Sequence, residues 1–419
     1  MRRQSALARS ILCVLAVAAA AASTAAAATP EQNLARTLSR AFRGAGSRSG
    51  AYVQDLSNGR VLFSRRAGTA RTPASNEKVF TTATALLRFG TAGRLRTTVL
   101  GSGSLGADGV YNGTLYLRGG GDPTLGSAAY NRDAYGTGAN IESLAQQLAD
   151  AGVKRVEGPV VGDEAYFDLR RGDPEAGYAR SGFLEGQLSG LVFERGLTGS
   201  GGAFQSKPAT FAAARLIDAL KRLGVRVSQS AREGATAPGA RELARVDSPD
   251  MATLVRLTNR FSDNFFAETL LKGLGARFAG AGTTTAGAAV VKSQLRGFGL
   301  SARVIDGSGL SFADSTSPRT LVRFLVAVRH SSADAAFERS LSVAGRNGTL
   351  AGRMNGTTAA GRCRAKTGTL PGVSALSGYC DARGGHAIAF SLLMNGVSVS
   401  AARGLQDSMA IAVARYRGR

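Results

Sequence analysis

Apolar residues at helical spacing mark both ends of the chain. Leu34, Leu38 and Phe42 recur every four residues, the period of a helix that buries one stripe. Leu405, Met409, Ala412 and Val413 do the same near the C-terminus, where a core helix packed on a sheet is expected. Ala51-Tyr52-Val53 and Val61-Leu62-Phe63 flank Asn58-Gly59, a two-residue turn signal for a hairpin. Pro73 then precedes a long apolar run through Val79, Phe80, Ala83, Leu86 and Leu87. Proline ahead of a periodic apolar segment marks a helix start, and this helix should run to about Phe89-Gly90.

From about Arg94 the texture changes. Strand-like runs at Thr97-Val99, Gly113-Leu117 and Arg155-Val161 alternate with glycine-rich turns and with helical patterns at Ile141–Ala151 and Ala209–Leu223. Residues 96–247 are read as a separate mixed α/β unit with no catalytic cluster of its own. A helix start near Asp247-Ser248-Pro249 follows, with Met251, Leu254, Val255 and Leu257 at helical spacing. Further helical runs are expected near Ala286–Phe298 and Leu321–Val328. The chain then reads strand, strand, strand, helix over Gly361–Thr369, Ser374–Asp381, Ala387–Met394 and Ala401–Tyr416.

Composition changes this picture at the N-terminus. Arg2, Arg3 and Arg9 precede the apolar stretch Ile11–Ala22, and Ala26-Ala27-Ala28 offers a small-residue cleavage site. This is the pattern of a secretory signal peptide over residues 1–28, so the chain is expected to be exported to a periplasmic, extracellular or wall-associated location. The formal net charge of +23 implies adhesion to anionic envelope polymers or membrane surfaces. Nucleic acid is not the expected partner, since an exported chain does not meet it and no basic-aromatic recognition motif is present. Arginine supplies nearly all the positive charge; the lysines are Lys78, Lys154, Lys207, Lys221, Lys272, Lys292 and Lys366. Arginine cannot serve as a proton acceptor, so the scarce lysines draw attention to chemistry.

Lys78 follows Ser75 by three residues, and residues three apart share a helix face. A lysine buried in an apolar run loses affinity for its proton, and the neutral amine can then activate the serine as a nucleophile. Ser262-Asp263-Asn264 places a hydroxyl and an amide between helical segments. Lys366-Thr367-Gly368-Thr369 ends a strand with a cluster of donors suited to a carboxylate, and Gly368 permits close backbone approach. Each motif alone also fits a helix start, a cap or an edge turn. In this order, S-x-x-K, S-D-N and K-T-G form the set used by penicillin-binding proteins and class A β-lactamases.

With these motifs the chain resembles the class C penicillin-binding proteins, the D-alanyl-D-alanine carboxypeptidase/endopeptidase family. The resemblance extends to Gly119-Gly120-Gly121-Asp122-Pro123-Thr124-Leu125, to Asn259–Glu268, to Asp306–Ser311, to Val343–Leu350 and to Ala365–Leu370. It implies an α/β (α+β) fold. A β-lactamase-like transpeptidase domain, an antiparallel sheet flanked by helices, would span residues 29–95 and 248–419. A mixed α/β domain would be inserted at 96–247. It implies a serine peptidase acting on peptidoglycan stem peptides through an acyl-enzyme, with β-lactam antibiotics as covalent inhibitors. Ser75 would be the nucleophile, Lys78 its base and Ser262 the proton relay to the leaving amine. Asn264 would bind the substrate amide, and Lys366, Thr367 and Thr369 its carboxylate beside Gly368. The Ser75 and Thr369 N–H groups would form the oxyanion hole.

Two rival readings are a β-lactamase-like hydrolase and a non-catalytic peptidoglycan-binding protein. The E-x-x-L-like segment Glu194-Arg195-Gly196-Leu197 precedes Ser262, the wrong order for a class A deacylating glutamate. No cofactor is expected, and with only His330 and His386 in the chain no zinc site. Finally, a turn at Pro371-Gly372 would set Cys363 directly opposite Cys380 on adjacent antiparallel strands, close enough for a disulfide.

Overall fold

The computed structural model describes residues 28–199 and 202–418. The leader expected over residues 1–28 therefore lies outside the described residues, apart from Ala28. Among the described residues no helix is long and apolar enough to cross a membrane.

Helix α1 (Pro30–Phe42) opens with a capping box: the Thr29 hydroxyl accepts from the Gln32 N–H, and the Gln32 side chain accepts from the Thr29 N–H. Two donors that a helix start leaves open are thereby satisfied. Strands β1 (Gly50–Asp55) and β2 (Val61–Arg65) form the expected hairpin, with Gly59 at a φ of 74° in its turn. A 3₁₀ turn over Ala74–Glu77 leads into α2 (Lys78–Phe89), which is buried continuously from Lys78 to Leu86. A helix buried on all sides must sit at the centre of a domain.

The next unit begins with the hairpin β3 (Arg96–Leu105) and β4 (Val110–Arg118). Helices α3 (Ala128–Ala134) and α4 (Ile141–Asp150) follow, then β5 (Arg155–Val156) and β6 (Val160–Asp163). A small ribbon of β7 (Leu197–Thr198) and β8 (Ala203–Phe204) precedes α5 (Pro208–Arg222). Strands β9 (Arg226–Val227), β10 (Arg232–Glu233) and β11 (Arg241–Asp247) complete it. The main sheet runs β10-β6-β4-β3-β11, with β5 between β4 and β9. The run Arg155–Val161, expected as one strand, is two. Pro159 has no N–H for a ladder, and a Cβ on Gly158 would lie 2.1 Å from the Gly113 carbonyl oxygen.

Helices α6 (Met251–Phe261), α7 (Asn264–Phe278), α8 (Thr284–Gly297), α9 (Pro318–Arg329) and α10 (Asp334–Ser340) then return the chain to its first part. Strands β12 (Ser342–Val343), β13 (Cys363–Leu370), β14 (Val373–Asp381) and β15 (Ala387–Asn395) precede the last helix, α11 (Val399–Arg415). They join the N-terminal hairpin in an antiparallel sheet of order β12-β13-β14-β15-β1-β2. Side chains alternate across it. Ala375, Tyr379, Ala389 and Leu393 pack into the core with the helices α2, α6, α7 and α9, whereas Leu376, Cys380, Ile388 and Leu392 pack under α1 and α11. This is the helix-flanked antiparallel sheet expected from the sequence. The turn at Pro371-Gly372 sets Cys363 opposite Cys380, and the two form a disulfide. The stripe of α11 is rotated from its expected position: Ala402, Gln406, Met409, Ala410 and Val413 are buried, and Leu405 and Ala412 only partly so.

Candidate active site

The site forms where α2, the α6–α7 junction and the edge of β13 converge. Ser75 lies in the 3₁₀ turn ahead of α2, and Ala74 before it is held at a φ of 48°. A non-glycine residue in that region is strained unless its surroundings impose it, and here the strain sets the direction in which Ser75 enters the cleft. One turn later Lys78 is fully buried. Its Nζ lies 3.1 Å from Ser75 Oγ, 2.6 Å from Asn264 Oδ1 and 2.6 Å from the Ser308 carbonyl oxygen.

Ser262 is the C-terminal cap of α6, in the left-handed conformation at a φ of 63°, and Asp263 caps α7 by accepting from the Phe266 N–H. The two helices thus meet in a sharp turn that presents Ser262 and Asn264 together. Lys366, buried on β13, donates to Ser262 Oγ at 2.7 Å and to the Thr367 carbonyl at 2.9 Å. Strand β13 is tied to the Ser75 turn by Asn76, whose Nδ2 donates to the Lys366 carbonyl at 3.1 Å. At Gly368 a Cβ would lie 2.7 Å from the Pro73 carbonyl oxygen and 3.1 Å from Asn76 Nδ2, so only glycine allows this approach. Strand β12 pairs with Arg364 and Ala365 alone. From Lys366 onward that side of β13 is available to pair with an extended peptide. A cavity of about 500 Å³ lies there, lined by Ser75, Ser262, Thr367, Thr369, Arg353 and Arg403 among others.

Burial controls the charges. It pulls the Lys78 ammonium down to about 8, opposed by the carboxylates of Asp306 and Glu268. Lys366 is driven well below the ordinary lysine range, by burial first and by the Lys78 charge second. Two lysines poised toward neutrality, each bonded to a serine hydroxyl, form an arrangement for moving protons.

The chain matches the D-Ala-D-Ala carboxypeptidase 3 (S13) family over residues 31–179 and 185–416. It belongs to that family. The D-alanyl-D-alanine carboxypeptidase of Actinomadura sp. (strain R39) is 31% identical over 456 residues, covering 89% of this chain and 82% of that protein. Carboxypeptidase DacB of Mycolicibacterium smegmatis is 29% identical, covering 82% of this chain and 75% of that protein. Among solved structures, penicillin binding protein 4 of Haemophilus influenzae superposes with a TM-score of 0.73 at 20% identity, covering 89% of this chain and 97% of that one. The class C penicillin-binding-protein fold and the family read from the motifs are those of this chain.

As a member of this family the chain brings together all the residues singled out from its motifs: Ser75, Lys78, Ser262, Asn264 and the strand Lys366–Thr369. Others were not legible. Arg195 reaches Asp263 from the preceding unit, with Nη1 2.7 Å from Oδ2 and Nη2 3.1 Å from Oδ1. It stands in a left-handed turn, with Glu194 at a φ of 49° and Arg195 at 59°. From the same unit, the exposed Phe183 offers its carbonyl to Asn264 Nδ2 at 2.7 Å. The neighbouring Glu194 faces elsewhere, its carboxylate accepting from the Ser127 hydroxyl at 2.7 Å and the Ser127 N–H at 3.2 Å.

A buried acidic floor lies under Lys78. Glu268 Oε1 accepts from the N–H groups of Gly307 and Ser308 at 2.9 and 2.8 Å, and Asp306 accepts from those of Ser308, Gly309 and Ser311. These bonds hold the loop whose Ser308 carbonyl accepts from Lys78. Glu268 stands four residues after Asn264 on α7, so one helix face supplies both. Burial and mutual repulsion raise Glu268 to about 8 and Asp314 to about 12, and they raise Glu77 as well. Protonation is how such a group of carboxyls tolerates burial.

Proposed function

We propose that Ser75 attacks the carbonyl of a D-alanyl-D-alanine bond in peptidoglycan stem peptides and carries the acyl group. The observation that supports this most is the 3.1 Å contact between Lys78 Nζ and Ser75 Oγ in a site where burial lowers the lysine to about 8. Neutral Lys78 accepts the Ser75 proton as the new C–O bond forms. The tetrahedral oxyanion is taken by the N–H groups of Ser75 and Thr369, whose segments the Gly368–Pro73 approach brings together. Ser262, bonded to Lys366, passes a proton to the leaving D-alanine amine. Asn264 receives the amide of the acyl portion, and Lys366, Thr367 and Thr369 receive the terminal carboxylate. Water then releases the acyl group and returns Ser75. Penicillin follows the same first step and is released slowly; Glu194, whose carboxylate accepts from Ser127, does not serve as its deacylating base.

Export by the N-terminal leader gives this enzyme its substrate. Residues 96–247 carry 17 basic and 17 acidic side chains, so the net positive charge rests on the rest of the chain. That distribution favours holding the catalytic part against an anionic wall polymer.

Incubation with defined muropeptides followed by mass analysis tests the reading. Loss of one D-alanine identifies carboxypeptidase action, and splitting of cross-linked dimers identifies endopeptidase action. Sustained, rapid hydrolysis of penicillin would favour the β-lactamase reading instead.

A further inference from the structure

The leaving D-alanine carries a carboxylate next to the scissile amide, and the cavity must meet that charge. Lys366, proposed above to share that contact, also holds internal partners, and so does Lys78. Lys78 is bonded to Ser75, Asn264 and the Ser308 carbonyl, and Lys366 to Ser262 and the Thr367 carbonyl. Both are also fully buried. Two arginines line the same cavity. Arg353 is already matched: its Nε and Nη2 lie 3.0 and 2.7 Å from Asp407 Oδ1. Arg403 has no acidic partner within ion-pair distance among the described residues. It stands in the first half of α11 and is exposed. Its Nη2 donates to Thr369 Oγ1 at 3.1 Å.

That bond has a directional consequence. A hydroxyl accepting from a guanidinium keeps its own hydrogen for another partner. Thr369, which lines the cavity, therefore keeps an O–H free to donate beside a permanent positive charge. Guanidinium and hydroxyl together match a carboxylate, and charge-assisted bonds of this kind are the strong ones.

We propose that Arg403 is a substrate-binding residue that, with the Thr369 hydroxyl, receives the α-carboxylate on the leaving-group side of the scissile bond. It thereby makes the enzyme selective for peptides ending in a free carboxylate. The proposal rests on the reading of the site as a D-alanyl-D-alanine serine peptidase. It adds a residue to the strand motif, one supplied by the C-terminal helix.

The test uses two acetylated tripeptides that differ only at the end, one finishing in D-Ala-D-Ala and the other in its C-terminal carboxamide. kcat/KM is measured for both with the wild type, Arg403→Ala and Arg403→Lys. The wild type should prefer the carboxylate. Arg403→Ala should lower kcat/KM for the carboxylate peptide by about 10- to 100-fold and leave the carboxamide peptide within about twofold, and Arg403→Lys should restore part of the preference. Equal losses on both peptides in Arg403→Ala, or an unchanged preference, would overturn the proposal while leaving the peptidase reading intact. If the wild type cleaves neither peptide and takes up no labelled penicillin, the peptidase reading falls and this proposal with it.

Discussion

Arg195 and Asp263 form a two-pronged ion pair, at 2.7 and 3.1 Å, between the unit holding the second sheet and the turn that presents Ser262 and Asn264. Both side chains are largely buried, at 11% and 15% exposure. Arg195 also lies over the Phe265 ring, 4.9 Å from its centroid. The pair therefore fixes the start of α7 from outside the helical core. Arg195→Ala leaves Asp263 buried without its partner, which costs on the order of 3–5 kcal/mol. Acylation should slow on the order of 10²-fold, the effect of displacing catalytic groups by about 1 Å. Thermal unfolding and the rate of labelling by penicillin measure the two effects. An Arg195→Ala enzyme with wild-type labelling would show that the turn holds itself.

Gly368 is the second point of close approach. A methyl group there meets the Pro73 carbonyl at 2.7 Å and Asn76 Nδ2 at 3.1 Å, so β13 and the Ser75 turn must part. Gly368→Ala should fold, because the clash lies at one edge of the sheet. It should lose acylation by about 10²-fold with little change in melting temperature. Acylation within twofold of wild type would refute the tight coupling of strand and turn.

The pH dependence follows from Lys78. In the proposed mechanism its neutral form is the base, and burial brings its protonation equilibrium to about 8. The second-order rate of acylation should rise about tenfold per pH unit below that point and level off above it. Glu268, itself raised to about 8, gains its negative charge over the same range and then holds the proton on Lys78. Glu268→Gln never gains that charge, so the upper part of the rise should move to lower pH. Stopped-flow acylation from pH 5.5 to 9.5 measures both. A rise that stays in place in Glu268→Gln would separate the acidic floor from the base.

Much of the catalytic part was legible because its information is local. Ser75 and Lys78 share one helical turn, the hairpin at Pro371-Gly372 sets the register of Cys363 against Cys380, and period-two alternation in β14 and β15 assigns their faces. What escaped reading is carried by contacts between distant segments. Arg195 and Asp263 lie 68 residues apart in sequence, and nothing in Glu194-Arg195-Gly196 announces that its arginine turns toward another unit. Arg403 looks like any arginine on an amphipathic helix. Glu268, Asp306 and Asp314 look like surface acids until α7 and the 306–314 loop fold over Lys78. The split of Arg155–Val161 was signalled by Gly158-Pro159, although its apolar residues alone suggested a single strand.

The Cys363–Cys380 disulfide closes a loop of 17 residues between buried ends. Cross-linking a loop of this size contributes about 3 kcal/mol in the chain-entropy model. The Cys363→Ser, Cys380→Ser double variant should melt several degrees lower and still be labelled by penicillin at permissive temperature, because the bridge lies at the far end of β13 from Gly368. Loss of labelling in fully folded double variant would place the bridge within the catalytic machinery.

The central claim is that Ser75 is the acylated nucleophile. Peptide mapping by mass spectrometry after exposure to penicillin tests it most directly. The prediction is one intact penicillin added to the peptide that contains Ser75, and none on Ser75→Ala. No adduct on the wild-type protein, or an undiminished adduct on Ser75→Ala, would contradict it.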